Sequence, residues 1–258
     1  MSLITLTTDF GTRDWFVGTM KGVILGIDPH ATIVDISHDI PAGDIRAGAF
    51  ALMASCRFFP RRTVQVAVVD PGVGSERAAI AVQTRDYLFV GPDNGVLSLA
   101  LMNERIKAVH RLENKKFFLK EVSHTFHGRD IFAPVAAHLS QGVSIQKFGP
   151  PADDYVRLRW PAPKQNGRTI RGEIVYLDRF GNAITNIPNR LVTLMDRACS
   201  LSTGRKAVCP VRAFYQSVPR EKPVAVPGST GFLEIAVNGG SAAKALRLKV
   251  GDIVTVRV

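Results

Sequence analysis

The chain has 258 residues, enough for one large core or two smaller ones, and 46% hydrophobic with 21% charged residues is a globular composition. A net charge of +11 invites a nucleic-acid partner, but the basic residues are scattered and no zinc-finger, RNP or helix-turn-helix pattern accompanies them. Cys56, Cys199 and Cys209 are an odd set without a CxxC pair, and no apolar stretch reaches the roughly 18 residues that span a bilayer. Disulfides, structural zinc and a membrane partner are therefore not expected, and with no signal-like N-terminus the location expected is cytoplasmic.

Leu3 to Thr8 reads as a buried strand, and Thr7-Thr8-Asp9-Phe10-Gly11 ends it in a carboxylate and a glycine. Asp14 is the expected cap of a helix carrying Phe16, Met20, Val23, Ile24 and Ile27 at helical spacing, stopped by Asp28-Pro29. Ala31–Ile36 predicts a second strand, 44–56 a second helix, and Val64–Val69 a third strand. This alternation predicts an α/β domain with a Rossmann-like, mostly parallel sheet. The strands Ala79–Val82 and Tyr87–Val90 follow, then Gly91-Pro92-Asp93-Asn94-Gly95 and a helix from Val96 to Leu101. His124-Thr125-Phe126-His127-Gly128-Arg129-Asp130 precedes a helix from Ile131 to Leu139, with Asp130 as its expected N-cap.

Residues 1–150 are thus expected to form the first domain, and the Pro-rich stretch 151–168 a linker. From 169 to 258 the pattern changes to short strands with little helix: Arg171–Leu177, Ala198–Ser202, Ala207–Val211, Pro223–Val226, Phe232–Val237 and Ile253–Val258. A smaller, β-barrel-like domain is the expectation, with polar corners at 178–182 and 227–231.

Ligands of open α/β sheets bind at the carboxyl ends of the strands. Val68-Val69-Asp70-Pro71-Gly72-Val73-Gly74-Ser75-Glu76-Arg77 ends the third strand abruptly, and Arg77 stands one loop-length from Asp70. Asp9, Asp35, His38, Asp93, Asn94 and His127 are expected on the same rim. A divalent metal on Asp9, His38, Asp70 and His127 competes with this reading, but Arg77 and Arg129 beside two of those residues oppose it. Gly72-Val73-Gly74 lacks the other residues of a phosphate loop, and no cysteine or GxSxG serine is placed as a nucleophile. What remains is an Asp–Arg–His set able to act on water, against the plainer reading of a local ion pair and a backbone-bonded histidine.

Seven segments in order carry a resemblance: TTDFGTRDWFVG with KGVIL, DISHDIP, VVDPGVGSER, GPDNG, FHGRDIFAP, YLDRFGNAITNI and GSTGFLEIAVNGG. Over almost its whole length the chain resembles the S-adenosyl-L-methionine (SAM) hydroxide adenosyltransferases, hydrolytic relatives of the fluorinases and chlorinases. The resemblance implies hydrolysis of SAM at the ribose 5′ carbon to adenosine and methionine, with SAM as substrate and no cofactor or metal. It places water handling on Asp70, Arg77 and His127. Substrate contacts fall on Asp9, Phe10, Asp178, Phe180, Asn182, Tyr215, Ser229, Glu234 and Asn238. The fluorinase has tyrosine at Asp70, Tyr-Ser at His127-Gly128, tryptophan at Gly43 and arginine at Thr230, and a carboxylate at position 70 would repel a halide. A homotrimer with sites between subunits is also implied. A protein that binds or senses adenosine or SAM without turnover stays open as the alternative.

Overall fold

The computed structural model describes residues 2–192, 200–203 and 206–257, and the chain divides into two compact units, Met1–Arg159 and Trp160–Val258. In the first unit, β1 (Leu3–Thr8) is an almost continuously buried run, as a central strand must be. After α1 (Phe16–Ile27), β2 (Thr32–Ser37) pairs with β1 in parallel. After α2 (Ile45–Cys56), β3 (Val64–Val68) pairs parallel on the other side of β1. Side chains alternate across the sheet. Ile4, Leu6, Val64, Val66 and Val68 join one core, while Gln65 Nε2 reaches the end of α2 at Cys56 O, 3.5 Å away.

The next elements are β4 (Ala79–Thr84), β5 (Leu88–Pro92), α3 (Ser98–Leu101) and β6 (Ile106–Arg111), the last not anticipated from sequence. A π-helical turn, Gly128–Phe132, then runs into α4 (Ala133–Ser140). The sheet order is β2-β1-β3-β5-β4-β6. Only β2-β1-β3-β5 is parallel; β4 runs antiparallel to both β5 and β6, so the mostly parallel expectation holds for four strands and fails beyond them. The cause is local, since only the tight 85–87 turn separates β4 from β5, too short for a crossover helix. Running antiparallel, β4 begins at the rim where β3 ends, so residues 70–78 lie along that rim.

Two expected helix caps are corrected. Trp15 rather than Asp14 occupies the N-cap of α1 and makes no side-chain bond. Asp130 lies inside the π turn, fully buried, where Ser123 N and Oγ each donate to its Oδ2 at 2.8 Å. Asp44 does cap α2, accepting from Ala47 N at 2.9 Å.

The second unit contains β7 (Lys164–Asn166), β8 (Thr169–Leu177), β9 (Ala183–Pro188), β10 (Ser200–Thr203), β11 (Lys206–Pro210), β12 (Pro223–Pro227), β13 (Phe232–Val237), α5 (Ala242–Ala245) and β14 (Ile253–Arg257). β7 falls within the stretch read as a linker and pairs with β8; β9 was also unread. Every ladder is antiparallel, along the path β11-β10-β14-β8-β9-β13-β12. Among the described residues no ladder closes a barrel: the two end strands are linked only by the isolated Val211–Ala225 bridge, with Arg212 N donating to Ala225 O at 2.8 Å. Ala198 and Cys199 of one expected strand, and Val258 of another, lie outside the described residues. No helix among the described residues is long and apolar enough to cross a membrane.

Candidate active site

Asp70 is separated from the end of β3 by Val69 alone, and the chain before it is held tightly. Asn94 Nδ2 donates to Val69 O at 2.8 Å, and β5 crosses so close that a Cβ on Gly91 would lie 2.5 Å from Ala67 O. The loop then turns through Val73 N to Asp70 O (3.2 Å) and Ser75 N to Gly72 O (3.1 Å). Gly74 has φ +80°, and a Cβ there would collide with the carbonyl of His124, so this position tolerates only glycine without movement. These restraints bring Arg77 back onto Asp70.

Arg77 Nε lies 3.0 Å from each Asp70 oxygen, and its Nη2 also bonds Oδ2. The Asp70 and Arg77 side chains are only 5% and 11% exposed, so the pair is screened little by solvent. The same Nη2 lies 2.8 Å from His127 Nδ1, and the guanidinium sits 5.5 Å above the Phe132 ring. A guanidinium can only donate, so Nδ1 is the acceptor and the single proton of the neutral imidazole is on Nε2. Burial pushes the His127 pKa below its ordinary value, and the positive charge of Arg77 pushes it the same way. Arg77 thus holds a carboxylate and a neutral, Nε2-protonated histidine in one fixed arrangement.

His127 is placed by the π turn that it precedes, a distortion common at functional sites. Gly128 is buried, and a Cβ on it would stand 3.3 Å from Phe10 and from Met20 Sδ. Phe10, Phe16 and Phe126 pack ring against ring beside it, with centroids 5.1–5.8 Å apart. Asp9 accepts from Gly43 N at 2.8 Å. Gly43 has φ +73°, a left-handed backbone that favours glycine. Asp35 and His38 do not join this cluster, because His38 is buried against Thr8. The imagined metal set is therefore not assembled, and both Asp70 oxygens face a guanidinium where a cation would need them. Among the described residues no three metal-ligand side chains converge.

The second unit carries a separate polar cluster. Both oxygens of Asp178 are held by Asn182, from its N (2.8 Å) and its Nδ2 (2.9 Å). Gly181, at φ +83°, packs onto Ser241, and Phe180 is left 77% exposed at the corner, so it is not a core residue. Tyr215 Oη donates to Glu234 Oε1 at 2.7 Å. Burial and the bond to Glu234 push the phenol up to about 12; burial also raises Glu234, which is 7% exposed. The charge of Asp178 raises both, so Asp178, Tyr215 and Glu234 share one neighbourhood. Ser229 lies in the turn closed by Gly231 N to Gly228 O (3.1 Å), and Thr230 Oγ1 beside it is buried without a hydrogen-bond partner. Asn238 is tied to the segment ahead of β12, with Nδ2 donating to Val218 O at 2.8 Å and its N to Lys222 O at 3.1 Å.

The structure therefore brings Asp70, Arg77 and His127 together, with Asp9 and Phe10 in the same unit. It places Asp178, Asn182, Tyr215 and Glu234 together in the other. Sequence reading missed the grip of Asn94 on Val69 and the Phe10–Phe16–Phe126 floor. Asn94 stood in a recognised corner, but nothing in the sequence indicated the carbonyl it holds.

Comparison with known proteins follows the same division. Residues 4–149 match the family model for the SAM hydroxide adenosyltransferase N-terminal domain, and residues 172–255 match that for the C-terminal domain. The chain is 39% identical over 252 residues to an (R)-S-adenosyl-L-methionine hydrolase of Salinispora tropica, covering 96% of this chain and 95% of that protein. It is 38% identical to the enzyme of that name from Thermus thermophilus, covering 97% and 98%. A fluorinase of an Actinoplanes species is 27% identical over 98% of this chain and 97% of its own. A crystal structure of an uncharacterized conserved protein from Thermotoga maritima superposes with a TM-score of 0.93 at 38% identity, covering 99% and 100%.

Proposed function

The chain belongs to the SAM hydroxide adenosyltransferase family, and from that premise we propose that it hydrolyses S-adenosylmethionine to adenosine and methionine. The observation that carries this reading is the Asp70–Arg77–His127 cluster fixed at the end of β3. The C5′–S bond breaks with its electron pair retained by sulfur, so methionine leaves as a neutral thioether and needs no general acid. Water supplies the new C5′–O bond, and its surplus proton must leave. Arg77 approaches both Asp70 oxygens, yet a carboxylate has about four lone-pair directions, so Asp70 can still accept from water. His127 offers Nε2–H to orient that water, which assigns the proton to Asp70 directly rather than through the imidazole. The main contribution to rate is alignment of water behind C5′ and exclusion of other solvent.

Asp9 takes the ribose hydroxyls, with Phe10 beneath it. In the second unit, Asp178 and Glu234 face the substrate cation, Tyr215 and Phe180 stack on the base, and Asn182, Ser229 and Asn238 complete the contacts. SAM is the substrate and no cofactor is assigned. The relatives are named for the (R) epimer, which is the preferred substrate in this reading. A cytoplasmic homotrimer, with each site completed by a neighbouring subunit, belongs to the same proposal; mixing two variants inactive in different units should restore activity. The deciding experiment incubates the protein with each SAM epimer, with and without EDTA, and quantifies adenosine and methionine. Equal amounts of both products, insensitive to EDTA, are expected. No adenosine from either epimer refutes the proposal.

A further inference from the structure

The strand-end corner Thr8-Asp9-Phe10-Gly11 carries the carboxylate proposed for the ribose, and one buried residue outside it touches it twice, once by its side chain and once by its backbone. His38 is 4% exposed and Thr8 is fully buried, with His38 Nδ1 2.8 Å from Thr8 Oγ1. Thr8 Oγ1 also accepts from Phe10 N at 3.3 Å. The backbone carbonyl of His38 accepts from Gly11 N at 2.7 Å. Asp9 and Phe10 are thus bracketed between two bonds made by one residue.

The chemistry of these atoms sets the direction of the chain. Thr8 Oγ1 accepts the Phe10 N–H and keeps both a second lone pair and its own proton, so the ring's other nitrogen sets the direction. That nitrogen faces the Asp35 carboxylate, which only accepts, and His38 Nδ1 therefore accepts from Thr8 Oγ1. The proton of a neutral ring is then on Nε2, which faces Asp35 Oδ1 at 3.1 Å, off the line of a well-aligned hydrogen bond. Asp35 is in turn held by Lys21 Nζ at 2.5 Å. Phe10, placed by this arrangement, packs against Gly128 and Phe126 on either side of His127. We propose that His38 is a positioning residue: through Thr8 and Gly11 it fixes the corner that presents Asp9 to the ribose diol and Phe10 to the aromatic cluster beside Gly128. This rests on the proposed function for the identity of the ligand, but not for the orientation of the ring.

Two measurements test it. Nitrogen-15 spectra of the imidazole in the unliganded protein should show the Nε2–H tautomer with Nδ1 as acceptor; a ring protonated on Nδ1 alone overturns the inference whatever the protein hydrolyses. Binding of adenosine and 2′-deoxyadenosine is then compared in wild type, His38→Phe, His38→Asn and Thr8→Val. His38→Phe keeps an aromatic ring but loses the acceptor, and His38→Asn restores an acceptor near Nδ1. His38→Phe and Thr8→Val should each weaken adenosine about tenfold while changing 2′-deoxyadenosine less than about twofold, a difference of about 1.4 kcal/mol for each tenfold step. His38→Asn should recover most of the loss. Parallel weakening of both nucleosides, or no weakening, overturns the assignment. If wild type binds neither nucleoside, the functional reading fails instead, and the tautomer with the exchange protection of the Phe10 and Gly11 amides decides the positioning role. Those amides should exchange faster in His38→Phe; unchanged exchange overturns it.

Discussion

Replacing Asp70 by Asn separates the structural from the chemical role of the central pair. Arg77 is 11% exposed and donates from Nε and Nη2 to a carboxylate that is 5% exposed, so the variant leaves a buried guanidinium without its counter-charge. Removing one partner of such a pair costs about 3–5 kcal/mol. At about 2–4 °C per kcal/mol for a unit of this size, the melting temperature should fall by roughly 6–20 °C. Hydrolysis loses its proton acceptor and should drop by about 10²–10⁴-fold. The double variant Asp70→Asn/Arg77→Met removes both charges, and replacement of a buried ion pair by neutral groups is often neutral or stabilising. Its melting temperature should return close to wild type while adenosine release stays lost. Scanning calorimetry and chromatographic assay of adenosine measure the two effects. Full hydrolysis by Asp70→Asn, or a double variant less stable than either single one, refutes the reasoning.

The His127 pKa is depressed by burial and Arg77, so the unfolded state binds more protons once the pH falls below the ordinary 6.5. Stability should decline from there until the folded-state pKa is reached, whereas activity should hold below 6.5 and fall only at that lower pKa, as protonated Nδ1 meets Arg77. An acid limb in the rate–pH profile centred at or above 6.5 contradicts the neutral-imidazole assignment. His127→Asn, which can accept from Arg77 but does not titrate, should lack that acid limb. Gly74→Ala adds a Cβ against the His124 carbonyl at φ +80° and should cost about 1–3 kcal/mol while displacing Arg77; wild-type melting and turnover together would show the loop to be free to move. Tyr215→Phe leaves buried Glu234 without its donor and should destabilise by about 1–3 kcal/mol in chemical unfolding. In wild type, ultraviolet titration should find the Tyr215 phenol still neutral well above pH 10, and early ionisation would show the Glu234 bond to be absent in solution.

Much of the first unit was legible because its signals are local. Leu3–Thr8 and Phe16–Ile27 match strand and helix as read, since an apolar run or a repeating apolar face reports its own burial. Asp70 and Arg77 were visible as residues seven apart on a glycine-containing loop. β6, β7 and β9 were not visible because Ile106–Arg111 is largely solvated, Lys164–Asn166 is a three-residue edge strand, and Ala183–Pro188 contains buried Thr185 and Asn186, which read as loop. Asp14 and Asp130 failed as caps because a capping residue is recognised by type, whereas the bond it makes depends on where the chain turns next.

By itself the sequence determined which residues are available for chemistry and where strands stop, because composition and periodicity are properties of neighbours in the chain. Only the tertiary structure decided that Arg77 touches both Asp70 and His127 across fifty residues, which in turn sets the protonation of the imidazole. It also decided that His38, read as a rim ligand, turns inward to hold the Asp9 corner. Hydrogen-bond direction and desolvation depend on atoms brought together by folding, and no spacing in the sequence encodes them.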